Sequence, residues 1–253
     1  MLGAQGYRMS VLDPEQLTGK TRKHVRELPE PPCTLHPEAA RAFLALRAAA
    51  ALDGLDLAPA SSFRDFDRQL TLWNDKFLGR RPLLDRDGRA LDPALMSETD
   101  LVHAVLHWSA LPGASRHHWG TEIDVIDRKA LLHGQLAELV PAEYAADGVF
   151  AKLGQWLAAG NAEGYGFFRP YDRDRGGVQP EPWHLSFAPV SGPALPALTL
   201  EVLADALRNV ELAGAGVVRA QLPDIHARYV RAVASPSAMA LAAPRLNPAA
   251  RPS

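Results

Sequence analysis

A mixed α+β fold is predicted for this 253-residue chain by three features of the sequence. Apolar residues recur at helical spacing in several stretches, two short segments alternate with the period of a strand, and segments rich in Gly, Pro and Asp separate them. Residues 1–34 read as an irregular arm ending in Pro29, Pro31 and Pro32. Pro37–Leu52 is rich in Ala, Leu and Arg with its apolar positions on one helical face, so a helix is expected there. Ser61–Phe77 begins as a strand or turn and passes into a helix through Phe66, Leu70 and Trp73. Arg80–Pro93 has the Gly/Asp/Pro texture of a surface loop, and Asp100–Ala110 reads as a helix stopped by Pro112 and Gly113.

Thr121–Asp127 alternates: Ile123 and Val125 share an apolar face, while Glu122, Asp124 and Ile126 point the other way. Phe150–Ala159 is expected to be helical. Pro182–Phe187 reads as a second short strand, with His184 on the face opposite Trp183 and Leu185. After Pro189 the texture changes: Leu198–Asn209 and Ile225–Val233 read as helices, and the Ala/Pro-rich stretch 235–253 reads as a disordered tail. The expected organisation is an arm (1–34), a main domain (35–190), a helical C-terminal extension (191–234) and the tail (235–253). No internal repeat is present.

Composition narrows the function. With 47% hydrophobic and 22% charged residues the chain can bury a sizeable core. A net charge of −2 without a dense Lys/Arg stripe argues against a nucleic-acid partner, and no apolar run has the length of a membrane span. Cys33 is the single cysteine, so no internal disulfide forms and cysteine supplies no ligand pair. Asp13, Glu15, Lys20, Arg22 and Lys23 interrupt any apolar export signal in the first thirty residues, so work in the cytoplasm is expected, with export by another route as the alternative.

The chemistry lies in Ser115-Arg116-His117-His118-Trp119-Gly120-Thr121-Glu122-Ile123-Asp124, answered downstream by Glu181-Pro182-Trp183-His184. These supply two imidazoles, one aspartate and a separate glutamate. Three such groups can hold a zinc ion with one coordination position open, and the fourth can handle protons. Gly120 is a natural place for a turn or a close backbone approach, and Pro182 restrains Glu181. Competing readings are weaker. His103 and His107 lie four apart on a predicted helix but lack the intervening Glu of the helical zinc-protease motif, and His118 would point away from its neighbour His117. Trp119, Trp183, Phe63 and Phe66 read as packing residues. Ser115 has no activating partner that would make it a nucleophile.

The two segments resemble the signature of the zinc D-alanyl-D-alanine carboxypeptidase family that includes the vancomycin-resistance carboxypeptidases. That pattern is Ser-x-His-x-x-Gly-x-Ala-x-Asp followed by Glu-x-x-His. Ser115, His117, Gly120, Asp124, Glu181 and His184 fall on it in order. Ser61–Gln69 resembles a third family segment, in which Arg64 and Gln69 match residues lining the substrate cleft, and Gly164–Phe168 resembles the approach to the last strand. The likeness covers roughly residues 35–190. It implies a small, mostly antiparallel sheet carrying the metal ligands, with helices packed on one side.

The resemblance also implies roles. His117, Asp124 and His184 would hold one zinc ion per chain, Glu181 would exchange protons, and Arg64 would stabilise either the developing oxyanion or a substrate carboxylate. Gln69 and Ser115 would orient the peptide. The expected substrate is a peptidoglycan stem peptide or its precursor, cleaved at a terminal D-alanine; an endopeptidase or a non-catalytic zinc-containing binding module is the alternative. One position departs: Glu122 stands where the family carries a small Ala. Period-2 geometry puts it on the Asp124 face, about 7 Å along the strand. There it would meet solvent or a surface ion pair, accept a hydrogen bond from a ligand, or pair with Arg64.

Overall fold

The computed structural model describes residues 12–242, 244 and 246 of the chain. It opens with a single helical turn, α1 (Pro14–Leu17), closed by a reciprocal cap in which Asp13 Oδ1 accepts from the Gln16 amide and Gln16 Oε1 from the Asp13 amide. A hairpin of β1 (Arg26–Pro29) and β2 (Pro32–Leu35) follows. The segment expected to be an irregular arm is therefore ordered over its described part, and residues 1–11 lie outside the described residues. The cause is long-range hydrogen bonding. Trp119 Nε1 donates to Leu17 O, the His36 amide to Gly120 O, and the Phe63 amide to Thr34 O.

Helix α2 (Pro37–Leu52) starts with Pro37 in its first turn, where a missing amide leaves no bond unmade, and buries Ala39, Ala42, Phe43, Leu46 and Ala50 on one stripe. Strand β3 (Leu57–Ser61) leads to α3 (Phe66–Phe77), whose N-cap Asp65 accepts from the Arg68 amide at 2.8 Å. The stretch Arg80–Pro93, expected to be plain loop, contains a minimal hairpin of β4 (Leu83–Leu84) and β5 (Ala90–Leu91). The Asp85 carboxylate accepts from the amides of Asp87 and Arg89 and closes its turn. Ser97 caps α4 (Glu98–Trp108).

Strand β6 (Glu122–Asp127) is followed by α5 (Pro141–Tyr144), α6 (Ala151–Ala158), β7 (Phe167–Phe168) and β8 (His184–Phe187). Strands β3, β6, β8 and β7, in that order, form one antiparallel sheet, giving the expected α+β architecture. Ile123, Val125, Leu185 and Phe187 are wholly buried and project to one face. The opposite face is polar yet also buried, carrying Glu122, Asp124, His184 and Ser186. Register matters here: Asp124 pairs directly with His184 and Glu122 with Ser186. A slip of one residue would put Ile123 in the polar row and break the site.

The C-terminal part is more helical than expected. Helix α7 (Ala188–Ala197) contains Pro193 and Pro196, which masked it in the sequence. Both prolines lie on the exposed side of the helix. Helices α8 (Leu200–Ala206) and α9 (Ala215–Ile225) follow; α9 continues as a π-helical stretch over His226–Arg231. Asn74 of α3 ties this extension down by donating to Glu211 O and accepting from the Ala213 amide. A last turn, α10 (Ala238–Leu241), lies in the stretch expected to be disordered and buries Ala240; residues 243, 245 and 247–253 lie outside the described residues. No helix among the described residues is long and apolar enough to cross a membrane.

Gly120 joins the arm to the metal motif. It sits at φ +68°, and a Cβ there would lie 2.4 Å from Val25 Cγ1 and 2.9 Å from the His36 amide nitrogen. Gly120→Ala is expected to lower stability by about 2–5 kcal/mol, summing left-handed strain and overpacking. Thermal unfolding checks this; an unchanged midpoint would mean the arm does not clamp the motif.

Candidate functional site

Residues Arg116–Trp119 form a 3-10 turn rather than extended backbone, so His117 and His118 diverge by about a third of a turn. His117 faces a cleft. His118 turns inward with no exposure, donating from Nδ1 to Arg64 O (2.6 Å) and accepting from the Gly113 amide at Nε2 (3.1 Å). Burial, ahead of all other influences, pushes its pKa down to about 3, so it is neutral and structural. His103 likewise has a structural role, bonded to Tyr229 and Gln221.

The structure brings His117, Asp124 and His184 together, all buried, with donor atoms within 4.8 Å of one another. His117 Nε2 stands 3.4 Å from Asp124 Oδ2, and His184 Nδ1 stands 3.0 Å from Asp124 Oδ1. Each imidazole is committed through its other nitrogen. His117 Nδ1 meets Ser62 O at 2.8 Å, and a carbonyl only accepts, so that nitrogen carries the proton and Nε2 keeps its lone pair. His184 Nε2 meets Glu122 Oε2 at 2.8 Å, so Nε2 keeps its proton and Nδ1 is the nitrogen that can exchange its proton for a metal.

Two imidazole nitrogens and a carboxylate thus converge. Asp124 Oδ1 is buried and makes no hydrogen bond of acceptable geometry despite its closeness to His184. Tetrahedral coordination at ligand distances of about 2.0–2.1 Å separates neighbouring donors by about 3.3 Å, so this cluster fits a zinc-sized divalent ion. Burial would raise the Asp124 carboxyl, but the His117 and His184 imidazoles outweigh it and hold the group below its ordinary range. Burial also opposes charge on His184, yet Asp124, Glu122 and Glu181 raise its proton affinity well above that of an ordinary histidine. The pocket therefore attracts positive charge.

Glu122 is wholly buried and does not meet solvent or Arg64. Besides His184, it accepts from Thr121 Oγ1 (2.9 Å) and Ser186 Oγ (2.8 Å), and its charge partner is Arg116 at 3.4 Å. Ser186 Oγ in turn accepts from Arg116 Nη2 at 2.6 Å. Taking a carboxylate out of water costs several kcal/mol, which burial alone would express as a raised pKa. Arg116, then His184 and Ser186, reverse that and hold Glu122 at about 2. The guanidinium lies over Trp119, 4.6 Å from its ring centroid. Glu122→Ala is expected to weaken metal binding about 10- to 100-fold by freeing the His184 ring. Metal titration with a competing chelator measures it; unchanged affinity would make the Glu122–His184 bond irrelevant to the metal.

Glu181 reaches the same point from the cleft side, with Oε2 3.3 Å from His184 Nδ1 and its amide bonded to Tyr171 O. Arg64 also lines the cleft, donating to Gln69 Oε1 (2.7 Å) and Ser61 Oγ (3.3 Å). Gln69, expected to touch the peptide, has no exposure and bonds Ala110 O at 2.6 Å; it aims Arg64 instead, because its helical position turns it under the guanidinium. Ser115 is in the cleft wall and begins the 3-10 turn without capping it through its hydroxyl. The cleft encloses about 760 Å³, room for a short peptide.

The sequence reading missed Tyr171, which stands edge-on to His184 at 4.9 Å between ring centroids and whose hydroxyl burial pushes up to about 12. It missed the hairpin residues Arg86 and Asp87 at the rim, and Lys76 in the wall. Trp183, taken as a packing residue, both packs near Tyr144 and lines the cleft.

Comparison with known proteins follows the same segments. The sequence profile of the family described as VanY: D-alanyl-D-alanine carboxypeptidase matches residues 32–190. An uncharacterised protein of Haemophilus influenzae is 47% identical over 103 residues, covering 40% of this chain and 70% of that protein. A second from the same organism is 34% identical over 122 residues, covering 47% and 92%. Among solved structures, VanYB in complex with D-alanine-D-alanine is similar at 17% identity and a TM-score of 0.49, covering 82% of this chain and 93% of that one. The vancomycin-resistance D,D-pentapeptidase VanY from the VanB-type cassette, in complex with Zn(II), has 19% identity and a TM-score of 0.46, covering 78% and 92%.

Proposed function

The chain belongs to the VanY D-alanyl-D-alanine carboxypeptidase family, and from that premise we propose that it is a zinc-dependent carboxypeptidase removing a terminal D-alanine from peptidoglycan stem peptides or their precursors. The observation that carries this reading is the convergence of two tautomer-locked imidazoles and Asp124 on one point, with Glu181 beside it on the open side. A structural metal site would be closed by a fourth ligand. Here the fourth group is a carboxylate facing the cleft.

His117, Asp124 and His184 would hold one zinc ion, which when bound lowers the pKa of a water and polarises the scissile carbonyl. Glu181 then takes the proton of the attacking water and returns it to the departing amine. Arg64, aimed by Gln69 and Ser61, offers its remaining N–H groups to the oxygen on which negative charge develops. Tyr171 and Trp183 form apolar walls that exclude bulk water. Ser115 orients the peptide backbone.

Incubating the zinc-loaded protein with stem tetrapeptides and pentapeptides and identifying products by mass spectrometry tests the reading. Loss of a single terminal D-alanine is expected, and chelation should stop it. Internal cleavage would make the protein an endopeptidase. Tight binding without hydrolysis would make it a non-catalytic module.

A further inference from the structure

Helix α3 turns one face to the cleft. Phe66 and Trp73 pack into the core, Gln69 lies beneath Arg64, and Leu72 and Lys76 reach the cleft wall. Lys76 is at the end of this row. Its ammonium donates to Ser109 Oγ at 2.6 Å, and among the described residues no carboxylate lies close enough to form an ion pair with it. A half-buried cation whose one bonded partner is a neutral hydroxyl retains hydrogen-bonding capacity for a ligand, since an ammonium has three donors.

Hydrogen bonds place it along the cleft. The Arg64 amide donates to His117 O at 3.2 Å and its guanidinium to Gln69, whereas Lys76, about two turns beyond Gln69 on α3, reaches Ser109. Arg64 thus adjoins the metal-ligand cluster, and Lys76 lies farther along the cleft wall, with Glu181 among its charged neighbours. Burial brings the Lys76 pKa down to about 8, with Glu181 opposing the shift, so the ammonium remains charged at neutral pH. In a carboxypeptidase substrate the free carboxylate follows the scissile carbonyl by one residue, a span of about 3.5 Å. A second cation displaced toward the leaving-group side suits that carboxylate.

We propose that Lys76 is a specificity-determining residue: its ammonium receives the free carboxylate of the residue to be released, leaving Arg64 to the oxygen of the scissile carbonyl. This rests on the peptidase reading above and deepens it, because such a cation selects chain ends over internal bonds. Ser109 Oγ orients the ammonium and marks the edge of the subsite. No other residue in the Gln69–Leu72–Lys76 row carries a charge.

Binding separates this proposal from the reading it rests on. Isothermal titration with zinc-loaded protein in a Glu181→Gln background, so that peptide is not consumed, would compare a stem pentapeptide as free acid and as C-terminal amide. With Lys76 present, the acid is expected to bind about 10- to 100-fold more tightly, the range of a hydrogen bond between charged groups. Lys76→Met and Lys76→Gln should lose most of that preference while binding the amide as before, and Lys76→Arg should recover part of it. Removing a half-buried ammonium that has no ion-pair partner among the described residues leaves no opposite charge buried alone, and the two neutral variants guard against a packing accident in either. No acid preference with Lys76 present, or a preference that survives both neutral variants, overturns the proposal; the latter would assign the carboxylate to Arg64. Acid preference that depends on Lys76, in a protein that hydrolyses no stem peptide when Glu181 is intact, would leave the subsite standing and defeat the peptidase reading.

Discussion

Glu181→Gln is expected to retain its metal and lose turnover by roughly 10²–10⁴-fold, the usual contribution of a general acid–base group. The amide has the size and reach of the carboxylate but takes no proton at neutral pH. Glu181 stands 3.3 Å from His184 Nδ1 without being one of the three clustered donors, and the hydrogen bond its backbone N–H donates to Tyr171 O fixes where it can reach. Elemental analysis beside steady-state kinetics on a stem peptide checks both halves of the expectation. A variant with near-normal turnover would mean the proton goes elsewhere. Glu122 does not suit that role, because it is wholly buried and engaged by His184, Arg116, Thr121 and Ser186.

His184→Ala is expected to have the larger structural consequence. It removes one of three donors and with it most of the bound metal. It also leaves Asp124 and Glu122 buried on one sheet face without the imidazole between them. Breaking a buried charged pair in this way costs about 3–5 kcal/mol. The variant should therefore lose metal and also unfold at lower temperature than the metal-free native protein. His117→Ala should lose metal with a smaller fall in metal-free stability, since its second partner is the neutral Ser62 carbonyl. Elemental analysis and thermal unfolding of chelated samples measure the two effects separately. Full metal content in both variants would remove this cluster from consideration as the metal site.

The donor set was legible because its members lie in two short motifs. His117 and Asp124 are seven residues apart, Glu181 and His184 three, and each carries a side chain whose chemistry limits its use. The strand alternation of Glu122–Asp127 was legible for a similar reason, since a period of two is a local property. Helices α2 and α3 have local capping and spacing as well. Helix α7 escaped because a proline is judged from sequence by the hydrogen bond it removes, and only packing shows that both prolines sit on the exposed side of the helix.

Glu122 and Lys76 mark the other side of that boundary. A glutamate on a strand is equally suited to water or to a buried network, and the choice rests on Arg116, His184 and Ser186, the last two more than sixty residues away in the chain. Lys76 reads as an ordinary last-turn lysine until Ser109 and the cleft wall surround it. The ordering of the arm depends on bonds from Trp119 and Gly120 back to Leu17 and His36. Local sequence chemistry thus dictated which atoms can bind a metal and move a proton. Desolvation and distant charges, which exist only once the chain has packed, dictated how those atoms are held, which carboxylates stay ionised, and where a substrate's own charge can rest.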